Sequence, residues 1–165
     1  KLQIALMQTA IVWENPILNR ELLSKKIQTI ASNIDVVILP EMFTTGFTMH
    51  PENLNSEEGQ KTIDWMLKLA SEKQMAITGS IPFYDKNTFT NRLFFIAPNG
   101  KIECYDKRHT FTLAGESAVY KAGNTKLIIE YKGFKICPLI CYDLRFPVWA
   151  RNTSDYDLLI YVANT

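Results

Sequence analysis

Two histidines, His50 and His109, and three cysteines, Cys104, Cys137 and Cys141, are all the soft metal ligands that the 165 residues provide. Neither histidine stands at finger or ribbon spacing from Cys137 and Cys141, so zinc is not expected. An odd cysteine count without a secretory leader argues against a disulfide framework and for free thiols. The opening KLQIALMQTA is too short, and too interrupted by Gln3 and Gln8, to act as a signal peptide. No apolar run approaches the roughly 20 residues of a membrane helix. A cytoplasmic protein without membrane contact is the expectation. Charge of one sign is missing as well: 18 Lys and Arg stand against 17 Asp and Glu, a net +1. Acids and bases are interspersed, which leaves no electrostatic footprint for nucleic acid.

What is present suits a globular chain: 47% hydrophobic and 21% charged residues are enough for one sizeable core. Residues 2–7 read as a buried strand. Asn15-Pro16 then offers an N-cap and a first helical residue. Leu18, Leu22, Leu23, Ile27, Ile30 and Ile34 continue at helical spacing. Residues 35–39 form an unalternating apolar strand ended by Pro40, typical of a sheet covered by helices. A second helix is expected over 59–72 and a strand over 75–80. NRLFFIA, Pro98-Asn99-Gly100 and KIECYDK make a hairpin; LIIEY, Lys132-Gly133 and FKICPLI make another. A short helix through 148–151 leads to a last buried strand, DLLIYVAN. No repeat, low-complexity run or linker divides the chain, so residues 1–165 read as one α/β domain with mixed strand pairing. Because nothing follows the last strand to cover it, the chain reads as the N-terminal majority of a longer domain.

In helix-covered sheets ligands gather at the carboxyl ends of strands. Three such ends deliver Glu41, Lys107 and Cys141. A thiolate can add to the carbon of an amide or nitrile, a carboxylate can carry the proton to departing ammonia, and an ammonium can hold the oxyanion. The backbone N–H of Tyr142 is a second oxyanion donor. Moving a proton from Cys to Glu is uphill by about 4 pK units, or ~5.5 kcal/mol, at ordinary values. A dry pocket is expected to raise the carboxylate and Lys107 to lower the thiol, with a helix starting near Phe146 adding partial positive charge. Each residue also has a plain reading: a core cysteine, a turn glutamate, a solvated Lys107-Arg108 pair. A Cys-His hydrolase built on His109 is a further alternative. It would be abolished by His109→Ala but not by Glu41→Gln.

LPEMFTTGF around Glu41, YDKRHTF around Lys107 and ICYDLRFP around Cys141 resemble, in matching order, the three motifs of the nitrilase, or carbon-nitrogen hydrolase, superfamily. The resemblance implies an αββα sandwich, a Glu41-Lys107-Cys141 triad, no cofactor or metal, and assembly into homodimers or larger homo-oligomers. It also places a second, substrate-positioning glutamate at Glu116, in FTLAGESAVYKAGN. ICYDLRFPVWARN and YDKRHTF look most like the omega-amidase branch, which implies hydrolysis of the terminal amide of a small 2-oxo acid through a thioester. In that branch Arg145 meets the distal carboxylate of the substrate; the other reading is an ion pair with Asp143. Phe43 either walls the pocket or belongs to the core. The competing functions are an amidase or nitrilase of other acyl specificity and a non-catalytic binding or assembly module of the same fold.

Overall fold

Apolar side chains alternate between two faces along the central strands, and this sorts the protein into two packed sheets. The computed structural model describes residues 1–164; Thr165, the last residue of the expected domain, lies outside them. The first sheet holds β1 (Ile4–Leu6), β2 (Val36–Ile38), β3 (Ala76–Asp85), β4 (Thr88–Ile96) and β5 (Ile102–Asp106) in that spatial order. Its first three strands are parallel and its last three antiparallel. The helices α1 (Pro16–Gln28) and α2 (Glu58–Lys73) are the crossovers between the parallel strands. They cover one face, where Leu23, Ile27, Met66 and Ala70 pack on Val37, Leu39, Ile77 and Phe94. Each of these buried side chains other than Ala70 contributes about 1.5–3 kcal/mol.

The opposite face carries Val36, Ile38, Leu93, Phe95 and Tyr105 and packs on the second sheet through Ile129, Ile136, Ile140, Ile160 and Val162. That sheet runs β6 (Ile129–Tyr131), β7 (Phe134–Ile140), β8 (Leu158–Val162), with β6 and β7 antiparallel and β7 and β8 parallel. The other two α-helices among the described residues, α3 (Glu116–Val119) and α4 (Pro147–Ala150), are one turn each. The α/β sandwich therefore runs helix, sheet, sheet over these residues. None of the described helices is long and apolar enough to cross a membrane.

The expected elements form, with four local differences. Asn15 caps α1 by accepting from Leu18 N at 3.1 Å, but α1 stops at Gln28, where the Thr29 hydroxyl bonds the Lys26 carbonyl. Ile30 and Ile34 reach the core from the following loop. β1 is an edge strand, paired only to β2, and it leaves Leu6 exposed rather than buried. β3 is ten residues long and turns straight into β4 through Lys86 and Asn87, both at positive φ, so the strand expected over 75–80 is half of a long hairpin. Pro82 hides that continuity in the sequence. It is tolerated because β3 pairs with β2 only over residues 76–78, and beyond them has a neighbour on one side alone. Finally, the turn after Cys141 is a 3-10 turn (Cys141–Arg145) that precedes α4.

Candidate active site

β2 ends at Ile38, and Pro40 turns the chain so that Glu41 is buried below the loop 41–46. Met42 at φ 49 folds this loop, while its N–H bonds the Ser80 hydroxyl of β3 at 3.1 Å. Lys107 stands one residue past β5, and its N–H donates to the Asn91 carbonyl at 3.0 Å, which extends the β4–β5 ladder by one step. Asn91 thus lies opposite Lys107. Glu116 opens α3 directly after Gly115.

These four side chains meet. The Lys107 ammonium donates to Glu41 Oε2 at 2.8 Å and to Glu116 Oε1 at 3.0 Å. The Asn91 amide donates to Glu41 Oε2 at 2.9 Å and to Glu116 Oε2 at 3.2 Å. All four are buried, while the Asn91 Oδ1 oxygen has no hydrogen-bond partner among the described residues. The N–H of Phe111 closes the group by donating to Glu116 Oε1. Burial raises the Glu41 carboxyl above the usual range, against the lowering effects of Lys107 and Asn91. Burial also works against the Lys107 charge, but Glu41 and Glu116 outweigh it and raise its pKa, so the ammonium stays charged. Two carboxylates share one cation, so loss of Lys107 would leave two buried acids without a counter-charge, while loss of either acid leaves a lysine–glutamate pair.

Cys141 directly follows β7 and begins the 3-10 turn with φ +37, in the left-handed region that a non-glycine residue avoids. Such a conformation costs on the order of 1–3 kcal/mol, and residues that retain it cluster at functional sites. The thiol is pushed up to about 11. Lys107 lowers the thiol as expected, but burial and the negative charge of Glu41 outweigh it, so the net shift is upward and Cys141 stays protonated at neutral pH.

A cavity of about 700 Å³ joins these groups, with Glu41, Lys107, Cys141, Tyr142 and Arg145 in its lining. Trp13, Phe47, Phe111 and Leu144 give it apolar walls. Phe43 is not among them, which corrects one of its two readings. It is fully buried between the helices and the first sheet, 5.9 Å from the Trp65 ring, in space left by the missing side chain of Gly79. The turn at Gly46 (φ +75) brings Phe47 to the wall instead, and the Phe47 ring lies 5.5 Å from the Lys107 ammonium. Arg145 is exposed and makes no ion pair with Asp143 among the described residues. Asp143 is taken up elsewhere, by His109, Tyr105 and the backbone of Ile140. His109 bonds Asp143 through Nδ1 at 2.8 Å and stacks on Phe146, outside the cavity lining. Among the described residues no group of three or more His, Cys, Asp or Glu could hold a metal ion.

Sequence reading passed over Asn91, Trp13 and Phe47. Asn91 has a detectable signal, being a polar residue at the head of the buried run NRLFFIA, where β-propensity is poor. The other two depend on how loops fold over the cavity.

Comparison with known proteins matches residues 3–165 to the carbon-nitrogen hydrolase family. An omega-amidase of Escherichia coli K12 is 42% identical over 163 residues, 99% of this chain and 63% of that protein. A 2-oxoglutaramate amidase of Bacillus subtilis is 31% identical over 155 residues, 92% and 60% of the two chains. The chain thus spans a little under two thirds of the curated relatives it matches. The crystal structure of XC1258 from Xanthomonas campestris, a CN-hydrolase superfamily protein with an arsenic adduct in its active site, superposes with a TM-score of 0.94 at 38% identity and covers 99% of this chain and 65% of that one. Ordered motifs, their convergence on one cavity and a match over nearly every residue agree: the chain belongs to the carbon-nitrogen hydrolase family.

Proposed function

We propose that the whole protein hydrolyses the terminal amide of a small 2-oxo acid to the acid and ammonia, with Cys141 as nucleophile. The observation that carries this reading is the convergence of a strained thiol, a carboxylate of raised pKa and a charged lysine on one cavity. A purely binding module would have no use for a buried Glu41–Lys107–Glu116 group, which is costly to desolvate.

The steps follow from the charges. Because the thiol is held up near 11, the free thiolate is scarce at neutral pH. Sulfur therefore bonds to the amide carbon as its proton passes to Glu41. The developing oxyanion is met by the Lys107 ammonium and the Tyr142 N–H, donors of a kind worth about 2.7–4 kcal/mol each. Glu41 gives its proton to the nitrogen, the C–N bond breaks, ammonia leaves and a thioester remains. Water, deprotonated by Glu41, then adds to the thioester carbon; the C–S bond breaks and the sulfur recovers a proton. Glu116 keeps Lys107 aimed during both halves. Arg145 on the cavity wall offers a bidentate partner for a carboxylate at the far end of the substrate, and the omega-amidase relatives point to the same substrate class. Cytoplasmic location and assembly into a homodimer or larger homo-oligomer belong to the proposal through the family resemblance.

The test is ammonia release by the whole protein and its Cys141→Ala variant from 2-oxosuccinamate, 2-oxoglutaramate, glutamine and an aliphatic nitrile. Release from the oxo amides alone, lost in the variant, is the expected result. Release from the nitrile would move the substrate class, and no release from any compound would return the non-catalytic alternative.

A further inference from the structure

Asp143 lies two residues past Cys141, is fully buried, and takes no part in the steps above. Its carboxylate nevertheless accepts four hydrogen bonds from two different segments. Oδ2 accepts from the Tyr105 hydroxyl at 2.7 Å and from the Ile140 N–H at 3.1 Å. Oδ1 accepts from the His109 N–H at 2.9 Å and from His109 Nδ1 at 2.8 Å. The positions of these donors are informative. Tyr105 and His109 flank Lys107 two residues to either side, and Ile140 immediately precedes Cys141. One carboxylate therefore ties both shoulders of the lysine segment to the residue before the thiol.

The Tyr105 hydroxyl is itself fully used. While donating to Asp143 it accepts from Trp149 Nε1 at 2.9 Å and from the Arg108 N–H at 3.2 Å. Trp149 belongs to α4, so the one-turn helix beyond the nucleophile is joined to the same hub. A bond from the Ile140 N–H to Oδ2 also closes the turn in which Cys141 is held at φ +37. A strained residue persists only where its surroundings over-determine it, and here the surroundings include the lysine segment.

We infer that Asp143 is a positioning residue: its carboxylate clamps the Cys141 turn to the Lys107 segment and so sets the separation of thiol and ammonium. The inference rests on the reading of Cys141 as nucleophile and Lys107 as oxyanion donor. Small misplacements of reacting groups by changes away from the chemistry cost up to about 10²-fold in rate, and the clamp is a device against such misplacement.

The experiment compares wild type, Tyr105→Phe, Asp143→Asn and Cys141→Ala as whole proteins on 2-oxoglutaramate and 2-oxosuccinamate. Rates are normalised to the Cys141 thiol titrated by an electrophile, so that loss of folded protein does not count. Expected are a kcat per titrated thiol lowered by about 10- to 100-fold in Tyr105→Phe and more in Asp143→Asn, with KM changed less than twofold, since substrate contacts are untouched. If Asp143→Asn does not fold, Tyr105→Phe decides alone, because it removes one of the four donors and keeps the carboxylate. Wild-type kcat per titrated thiol in Tyr105→Phe, with only the melting temperature lowered, would make Asp143 a structural residue and overturn the inference. Activity retained in Cys141→Ala would instead remove the catalytic reading on which it rests.

Discussion

Two clusters of buried polar side chains sit on either side of the Lys107 segment, and they are satisfied in different ways. In the first, Glu41, Glu116 and Asn91 surround Lys107, two acids share one cation, and the Asn91 oxygen goes unpartnered among the described residues. In the second, Asp143 accepts four hydrogen bonds from Tyr105, His109 and Ile140, and the Tyr105 oxygen is saturated in turn. Burial raises titrating groups in both: Glu41 in the first, the Tyr105 hydroxyl in the second. Only the first reaches the cavity, through Glu41 and Lys107. A saturated buried network rigidifies its surroundings, whereas one with an acid of raised pKa facing a cavity is placed to move protons. On the proposed reading the first cluster carries the chemistry and the second the geometry.

Several substitutions would break or sharpen that division. The largest effect is expected from Cys141→Ala, which should lower ammonia release by about 10⁴-fold or more, because a nucleophile acts as one unit with its base. Glu41→Gln should cost about 10²- to 10⁴-fold in kcat/KM, the range of general acid–base catalysis; near-normal turnover would move the proton transfer out of the first cluster. Asn91→Leu should act more gently, about tenfold at neutral pH. Its amide bonds favour the ionised form of Glu41, so their loss raises the Glu41 pKa further. A base must be ionised to work, and the acid limb of the kcat/KM profile should move to higher pH. An unmoved limb would detach Asn91 from the proton-transfer group.

The thiol supplies a readout independent of turnover. Alkylation of Cys141, assigned by its absence in Cys141→Ala, should rise through a midpoint near 11. In Glu41→Gln the midpoint should fall, because a negative charge beside the thiolate is gone; a rise would mean that Lys107 had left with its partner. The smallest effect is expected from His109→Ala, less than about tenfold in kcat, since the backbone N–H of residue 109 still holds Asp143. Abolished turnover there would revive the Cys-His mechanism.

Much of this architecture was legible in the chain. Asn15-Pro16, the Pro98-Asn99-Gly100 turn and the Lys132-Gly133 turn are local signals, and their elements form where local physics puts them. The β3–β4 hairpin was not legible, because Pro82 looks like a strand breaker until one sees that β3 has a single neighbour there. Phe43 and Phe47 occur four residues apart in one motif, and nothing local says which faces the cavity. The choice follows from Gly79 leaving room for the first ring and Gly46 turning the second outward.

By itself, then, the sequence determined the alternation of helices and strands, the glycine and proline turns, and the three strand ends that carry Glu41, Lys107 and Cys141, since each is a matter of residue type and near-neighbour spacing. Tertiary structure alone decided that Asn91 faces two acids, that Asp143 ties two distant segments together, and that the thiol titrates above rather than below its ordinary value. These outcomes depend on burial and on polar and charged groups brought together from residues 41, 91, 107, 116 and 141. Electrostatic energy in a dry interior follows distance in space, which the order of residues along a chain does not express.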